Sequence, residues 1–199
     1  PAQTDFEVQV ALDRLGFSPG SIDGLSGPQT RAALEAYQHR NGLPVTGIVD
    51  RATRAKLLLN APALLERTVM PEDLARLHSL GRTWTEKSKQ TTLEFESVLE
   101  MFAEEHHCSP RYLMKLNPTV AWNEITPGIR VKLPNTALPR PKGTAELIHI
   151  QLAQRTLDVY DGATNLVARF PCSIATQIDR RPVGRLEITK IAEATNYTF

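Results

Sequence analysis

Cysteine and aromatic residues are scarce in this chain of 199 residues, which holds two cysteines and only 6% Phe, Trp and Tyr together. Cys108 and Cys172 are too few for a disulfide framework. They make either one bridge or two separate buried thiols, and we read them as the latter. Charge of one sign is lacking as well. Lys and Arg number 23 against 22 Asp and Glu, and a net charge of +1 creates no field that would gather nucleic acid or an anionic membrane. No apolar run approaches the length of a membrane span. The opening Pro1-Ala2-Gln3-Thr4-Asp5 is without the basic and then apolar order of a secretory signal. What remains, 41% hydrophobic and 23% charged residues, is ordinary for a globular protein of one domain or several small ones.

The most informative feature present is a repeat. Ile22-Asp23-Gly24-Leu25-Ser26-Gly27-Pro28-Gln29-Thr30-Arg31-Ala32-Ala33-Leu34 aligns at constant offset with Val45-Thr46-Gly47-Ile48-Val49-Asp50-Arg51-Ala52-Thr53-Arg54-Ala55-Lys56-Leu57. Gly24 matches Gly47, Thr30 matches Thr53, and Leu34 matches Leu57. Each copy reads as a tight turn followed by a helix, and neither is long enough to bury its apolar face alone. Pro28 suits a first helical turn and Asp50 suits an N-cap. Thr30, Ala33, Leu34 and Tyr37 form one helical face, which should stop at Asn41-Gly42. Val8, Ala11, Leu12 and Leu15 predict an earlier helix ending at Gly16. Periodicity places Leu12, Leu15, Leu34 and Leu57 in the core.

Together with Leu15-Gly16-Phe17, Pro19-Gly20, Tyr37-Gln38 and Asn41-Gly42-Leu43, these tokens resemble the peptidoglycan-binding domain of bacterial wall enzymes. The resemblance covers almost all of residues 1–60 and implies a three-helix module that docks on wall peptide or glycan in a shallow groove. Tyr37 serves either as a core ring or as a ligand platform. Asp23, Gln38 and Asn41 are polar residues beside turns, so they join Tyr37 as the expected ligand-binding set, although turn-building explains them nearly as well.

Residues 61–91 mix Pro62, Pro71, Gly81 and alternating charges, and read as a linker with a short helix around Glu72 to Leu80. Over 92–136, Val98, Met101, Phe102 and Ala103 fit one helix. Tyr112, Leu113 and Leu116 fit a second, broken at Asn117-Pro118. Ile129, Val131 and Leu133 alternate as a strand after Pro127-Gly128. Leu116-Asn117-Pro118 and Val131-Lys132-Leu133-Pro134-Asn135 are similar to the tokens of LysM modules. Phe95-Glu96-Ser97 stands where sugar-binding members carry Gly-Asp-Ser or Gly-Asp-Thr. Trp122 acts either as a lid on a small core or as a stacking surface for a sugar ring. His106-His107-Cys108 does not make a metal site, since adjacent helical residues project about 100° apart and no second ligand pair follows. We expect neither a metal nor a cofactor.

From 144 to 199 the pattern changes to strands: Leu147 to Leu152, Leu157 to Tyr160, a turn at Asp161-Gly162, Val167 to Phe170, and Gly184 to Thr189. Ile148-His149-Ile150 and Arg181-Pro182-Val183-Gly184 resemble the opening half of an L,D-transpeptidase catalytic domain of the YkuD type, with Arg181 where the family commonly has Thr. A sheet of this length leaves edges and an apolar face exposed, so a continuation is expected. The resemblance implies acyl transfer on wall stem peptides by a cysteine thiolate, aided by a histidine and an oxyanion hole. In that family the His and the Ser-His-Gly-Cys motif lie C-terminal to the matched region, and neither occurs in this chain. Cys172 has no basic partner in sequence and reads as an ordinary strand residue, so no catalytic residue is assigned.

The expected architecture is therefore multidomain α+β: a three-helix module, a small LysM-like α/β module and an incomplete all-β segment. The function expected is the peptidoglycan-binding portion of an L,D-transpeptidase located in the periplasm or cell envelope; the alternative is a stand-alone, non-catalytic wall-binding protein. The partner is peptidoglycan rather than nucleic acid, and no oligomeric state is assigned.

Overall fold

In the N-terminal segment the first and third helices begin at side-chain caps, the second begins at Gly27-Pro28, and the first and second end just before Gly16 and Gly42. In the computed structural model, which describes residues 1–90, 95–136 and 144–189, α1 spans Asp5–Arg14, α2 Pro28–Arg40 and α3 Arg51–Lys56. The parts of the expected segments that fall on 91–94, 137–143 and 190–199 lie outside the described residues. Thr4 and Glu7 close a capping box on α1, and Asp50 caps α3 by accepting from Thr53 N at 2.7 Å. Val8, Ala11, Leu12, Ala33, Leu34, Tyr37 and Leu57 share one core, as the periodicity requires. Leu15 is a correction: it is 44% exposed, because α1 ends at Arg14 and the chain leaves the helical stripe one residue early.

A second unit is built on two strands far apart in sequence. β1, Leu64–Thr68, pairs antiparallel with β2, Arg130–Pro134, with Leu65 opposite Leu133 and Arg67 opposite Val131. The stretch expected as a linker therefore contributes a strand; its partner lies too far along the chain for local pattern to find. Between them run α4 (Pro71–Ala75), α5 (Trp84–Lys87), α6 (Val98–Glu105) and α7 (Pro110–Leu116). The helix expected over Glu72 to Leu80 already ends at Ala75. Ile129 falls just outside β2 and is exposed, whereas Val131 and Leu133 are buried with Met101, Phe102 and Leu113. Asn117 joins α7 to β2: its Oδ1 accepts from Lys132 N at 2.7 Å and its Nδ2 donates to Leu113 O and Lys132 O. Trp122 packs partly buried against this core, which is the lid arrangement.

The third unit is an antiparallel sheet of β3 (Leu147–Gln151), β4 (Thr156–Tyr160) and β5 (Leu166–Pro171), in that order. Residues 184–189, expected as a further strand, are not one. Leu186 and Ile188 are exposed, and no partner strand among the described residues offers them a ladder. One face of the sheet, bearing Tyr160 and Leu166, joins the core of the three helices. The opposite face carries Ile148, Ile150 and Phe170, which are exposed.

The three-helix unit sits between the other two and is tied to both. Ile22 N donates to His107 O at 2.7 Å and Ser109 N donates to Ile22 O at 2.9 Å, so the first repeat loop is threaded onto the α6–α7 turn. Arg14 donates to the carbonyls of Asn135, Ala61 and Pro62. His107 meets the buried Asp13 carboxylate at 2.9 Å, and this hydrogen bond holds the imidazole pKa above its usual value. On the other side, Ser18 N donates to Arg169 O and Arg169 N donates to Gly16 O, which extends the sheet onto the end of α1. The Arg169 guanidinium crosses to Ala32 O and makes a forked pair with Asp158, at 2.5 and 2.6 Å. Asp158 is fully buried, and the pair holds the guanidinium pKa above its usual value.

Two outcomes are expected. Asp158→Ala strands a largely buried guanidinium and should lower unfolding stability by about 3 kcal/mol in urea, with β4 and β5 amides losing hydrogen-exchange protection first; unchanged protection there would contradict the coupling. For the His107–Asp13 contact the raised imidazole pKa fixes the sign. Its stabilisation is complete below about pH 6.5 and is lost as pH rises through the folded-state value. Asp13→Asn should therefore cost stability at about pH 6 and much less at about pH 9, read from denaturation midpoints.

Candidate functional site

Both repeat loops are held by a buried glutamine on the helix that precedes them. The Gln9 Oε1 of α1 accepts from Asp23 N at 3.1 Å and from Gly24 N at 2.8 Å, while Nε2 donates to Asp23 Oδ1, Leu25 O and Thr30 Oγ1. In the second copy, Gln38 Oε1 of α2 accepts from Thr46 N at 2.9 Å and Gly47 N at 2.8 Å, and Nε2 donates to Thr46 Oγ1, Ile48 O and Thr53 Oγ1. The two sets correspond atom for atom. Each pins a turn whose glycine has positive φ, +74° at Gly24 and +67° at Gly47. A side chain at either glycine would collide: a Cβ on Gly24 would lie 2.8 Å from the Tyr112 ring, and one on Gly47 2.7 Å from Arg31 Cγ. Gln9 was not singled out from sequence, although its place among Val8, Val10 and Ala11 is the signal: a polar residue on a buried helical face needs partners.

The four expected ligand-binding residues occupy two places. Tyr37, Gln38 and Asn41 gather at the C-terminal end of α2, and Asp23 lies in the loop before its N-terminal end, roughly 20 Å of helix away. Tyr37 is a core ring, edge-on to Phe17 at 6.0 Å, and burial pushes its phenol pKa up. Gln38 is fully buried with its amide spent on the second loop. Asp23 is half-buried and accepts from Leu25 N as well as from Gln9. Asn41 is half-buried at the end of α2, where its Nδ2 donates to Tyr37 O at 2.8 Å and its own carbonyl accepts from Lys56. The other residues singled out from sequence are also accounted for. His106 Nδ1 contacts Pro134 O, and the free thiol of Cys108 is buried, its pKa pushed up to about 12. Cys172 is a free, half-buried thiol.

A concave surface lies where the three-helix unit meets the sheet. A groove of about 650 Å³ runs between the start of α2 and the β4–β5 hairpin, with Ser18, Pro28 and Gln29 on one wall and Arg155, Thr156 and Cys172 on the other. It exists only where the sheet docks on the helices, so no local sequence pattern could have disclosed it. The clamps carry a direct test. Gln38→Leu leaves two loop amides unpaired in the interior and should cost about 3 kcal/mol of stability. Gln9→Leu should cost a similar amount. A loss below about 1 kcal/mol for either, by urea denaturation, would show that the loops are held by something else.

Residues 6–57, which hold both clamps, match the family model described as "Putative peptidoglycan binding domain". Among curated proteins the chain is 42% identical over 64 residues to "Localization factor PodJL" of Caulobacter vibrioides, a match covering 31% of this chain and 7% of that protein. It is 51% identical over 47 residues to "Putative OxPP cycle protein OpcA" of Synechococcus elongatus, covering 24% of the chain and 11% of the relative. The OpcA protein of Nostoc punctiforme is similar at 47% over 47 residues, 24% of the chain and 10% of the relative. The chain thus spans no more than about a tenth of these relatives. A peptidoglycan-binding domain is present at the N-terminus of this chain.

Proposed function

We propose that this chain attaches to bacterial peptidoglycan through residues 1–60 and is the wall-binding portion of an L,D-transpeptidase that cross-links stem peptides. The observation that carries the wall-binding reading is the duplicated loop held by Gln9 and Gln38 within the matched domain. Asp23 and Asn41, half-buried at the two ends of α2, would meet the ligand, with Tyr37 and Gln38 fixing the surface from beneath. The second unit supports a LysM-like reading because α6 and α7 pack against the β1–β2 pair, with the short α4 and α5 inserted after β1. On this reading the unit takes in β1 and extends beyond the 92–136 expected for it. The sheet of β3, β4 and β5 supports the YkuD-type reading through its exposed apolar face, which suits a larger domain. No described helix is long and apolar enough to cross a membrane. That observation and the N-terminal domain are compatible with a cell-envelope location.

Purified sacculi provide the test. The full chain should sediment with them above a serum albumin control and be released by soluble muropeptides. Retention no greater than that of albumin would overturn the wall-binding reading.

A further inference from the structure

The two copies of the repeat differ at one chemically decisive place. In the second copy Asp50 precedes α3 and its carboxylate caps the helix by accepting from Thr53 N. At the equivalent place in the first copy stands Gly27, which offers no side chain, and Pro28 follows. The first turn of α2 holds no acidic residue, and the N–H groups of Gln29 and Thr30 have no acceptor among the described residues. A helix of 13 residues thus presents an uncapped, partly positive end beside the groove.

The opposite wall complements it. Arg155, at the tip of the β3–β4 turn with φ of +56°, is exposed, and its guanidinium has no acidic partner among the described residues. Next to it Thr156 lines the groove, is more than nine-tenths buried, and has a hydroxyl with no hydrogen-bond partner. A buried hydroxyl left unpaired at the groove points to a polar group that arrives from outside. Arg169, also at the groove, is spent on Asp158 and Ala32 O, so among the described residues Arg155 is the groove cation without an acidic partner.

We propose that this groove binds the free carboxylate of a short peptide between the start of α2 and Arg155, in the role that Asp50 plays internally in the second copy. The proposal rests on the wall-binding reading, since wall stem peptides carry free carboxylates, and it names peptide rather than glycan as the ligand at this groove. The main-chain N–H of Gln29, which lines the groove, would donate a hydrogen bond to the carboxylate, as helix N-termini do. The guanidinium would fork onto the same carboxylate.

The probe is diacetyl-L-Lys-D-Ala-D-Ala, titrated into the full chain and followed by amide NMR, with its C-terminal amide as comparison. The acid should shift the Gln29 and Thr30 amides, and the C-terminal amide should bind at least about tenfold more weakly. Arg155→Gln should weaken binding of the acid by about tenfold, whereas Arg111→Gln, exposed on α7, should leave it unchanged. Arg155 is exposed at a turn, so its replacement keeps the backbone hydrogen bonds to Gln151 and Cys172. Equal binding of acid and amide, shifts confined to other residues, or equal losses for both arginine variants would each overturn the proposal. Sacculus retention measured on the same samples separates the two readings: retention without peptide binding removes this groove as the carboxylate site and leaves wall binding standing, and loss of both removes both.

Discussion

A buried amide that satisfies a whole loop is the constraint on which the N-terminal domain depends. Gln9 and Gln38 each place one oxygen between two successive backbone N–H groups and direct their nitrogen to three oxygens. Without that oxygen the N–H groups that each loop turns toward the core would be left unpaired, at a cost a small domain bears poorly. The glycines at the same loops follow from this, because the turn that presents two N–H groups to one oxygen requires positive φ at Gly24 and Gly47. Duplication gives two clamps in one core, and each helix therefore both closes a hydrophobic face and organises the loop that follows it.

From that centre the rest of the chain is held by polar contacts at defined points. The first clamped loop exchanges backbone hydrogen bonds with the α6–α7 turn and seats Tyr112 over Gly24. The end of α1 adds itself to β5, and Arg169 reaches across from the sheet to α2 while paired with Asp158. These junctions mix ionic pairs with main-chain hydrogen bonds, so they specify orientation more than they add stability. The groove is a consequence: its walls belong to different units, and the docking of the sheet on the helices creates it.

The proposed carboxylate site lies where the two copies of the repeat cease to be alike. Most of the duplicated positions, Thr30 and Thr53 or Leu34 and Leu57, do the same structural work in both copies. Gly27 and Asp50 do not, and the copy that lacks its own carboxylate is the one whose helix opens onto a groove. Asp23 and Gln38 show the reverse relation. Their polarity beside turns suggested a ligand from sequence, and the structure shows the hydrogen bonds they already make within the fold.

Local chemistry alone determined a good deal of this protein. The three helices, the cap at Asp50 and the stop at Asn41-Gly42, the helix over Pro110–Leu116 and the three paired strands of the sheet all follow from periodicity and turn residues within short windows. The resemblance that pointed to peptidoglycan was legible for the same reason, since a repeated turn and helix is written in adjacent residues. Only the tertiary structure decided the pairing of β1 with β2, the absence of a strand over 184–189, the exposure of Leu15 and the role of Gln9. Each of those depends on a partner that is distant in sequence, or on the lack of one. A hydrogen bond or an apolar contact is set by distance in space, and residue spacing reports that distance only within one helix, strand or turn.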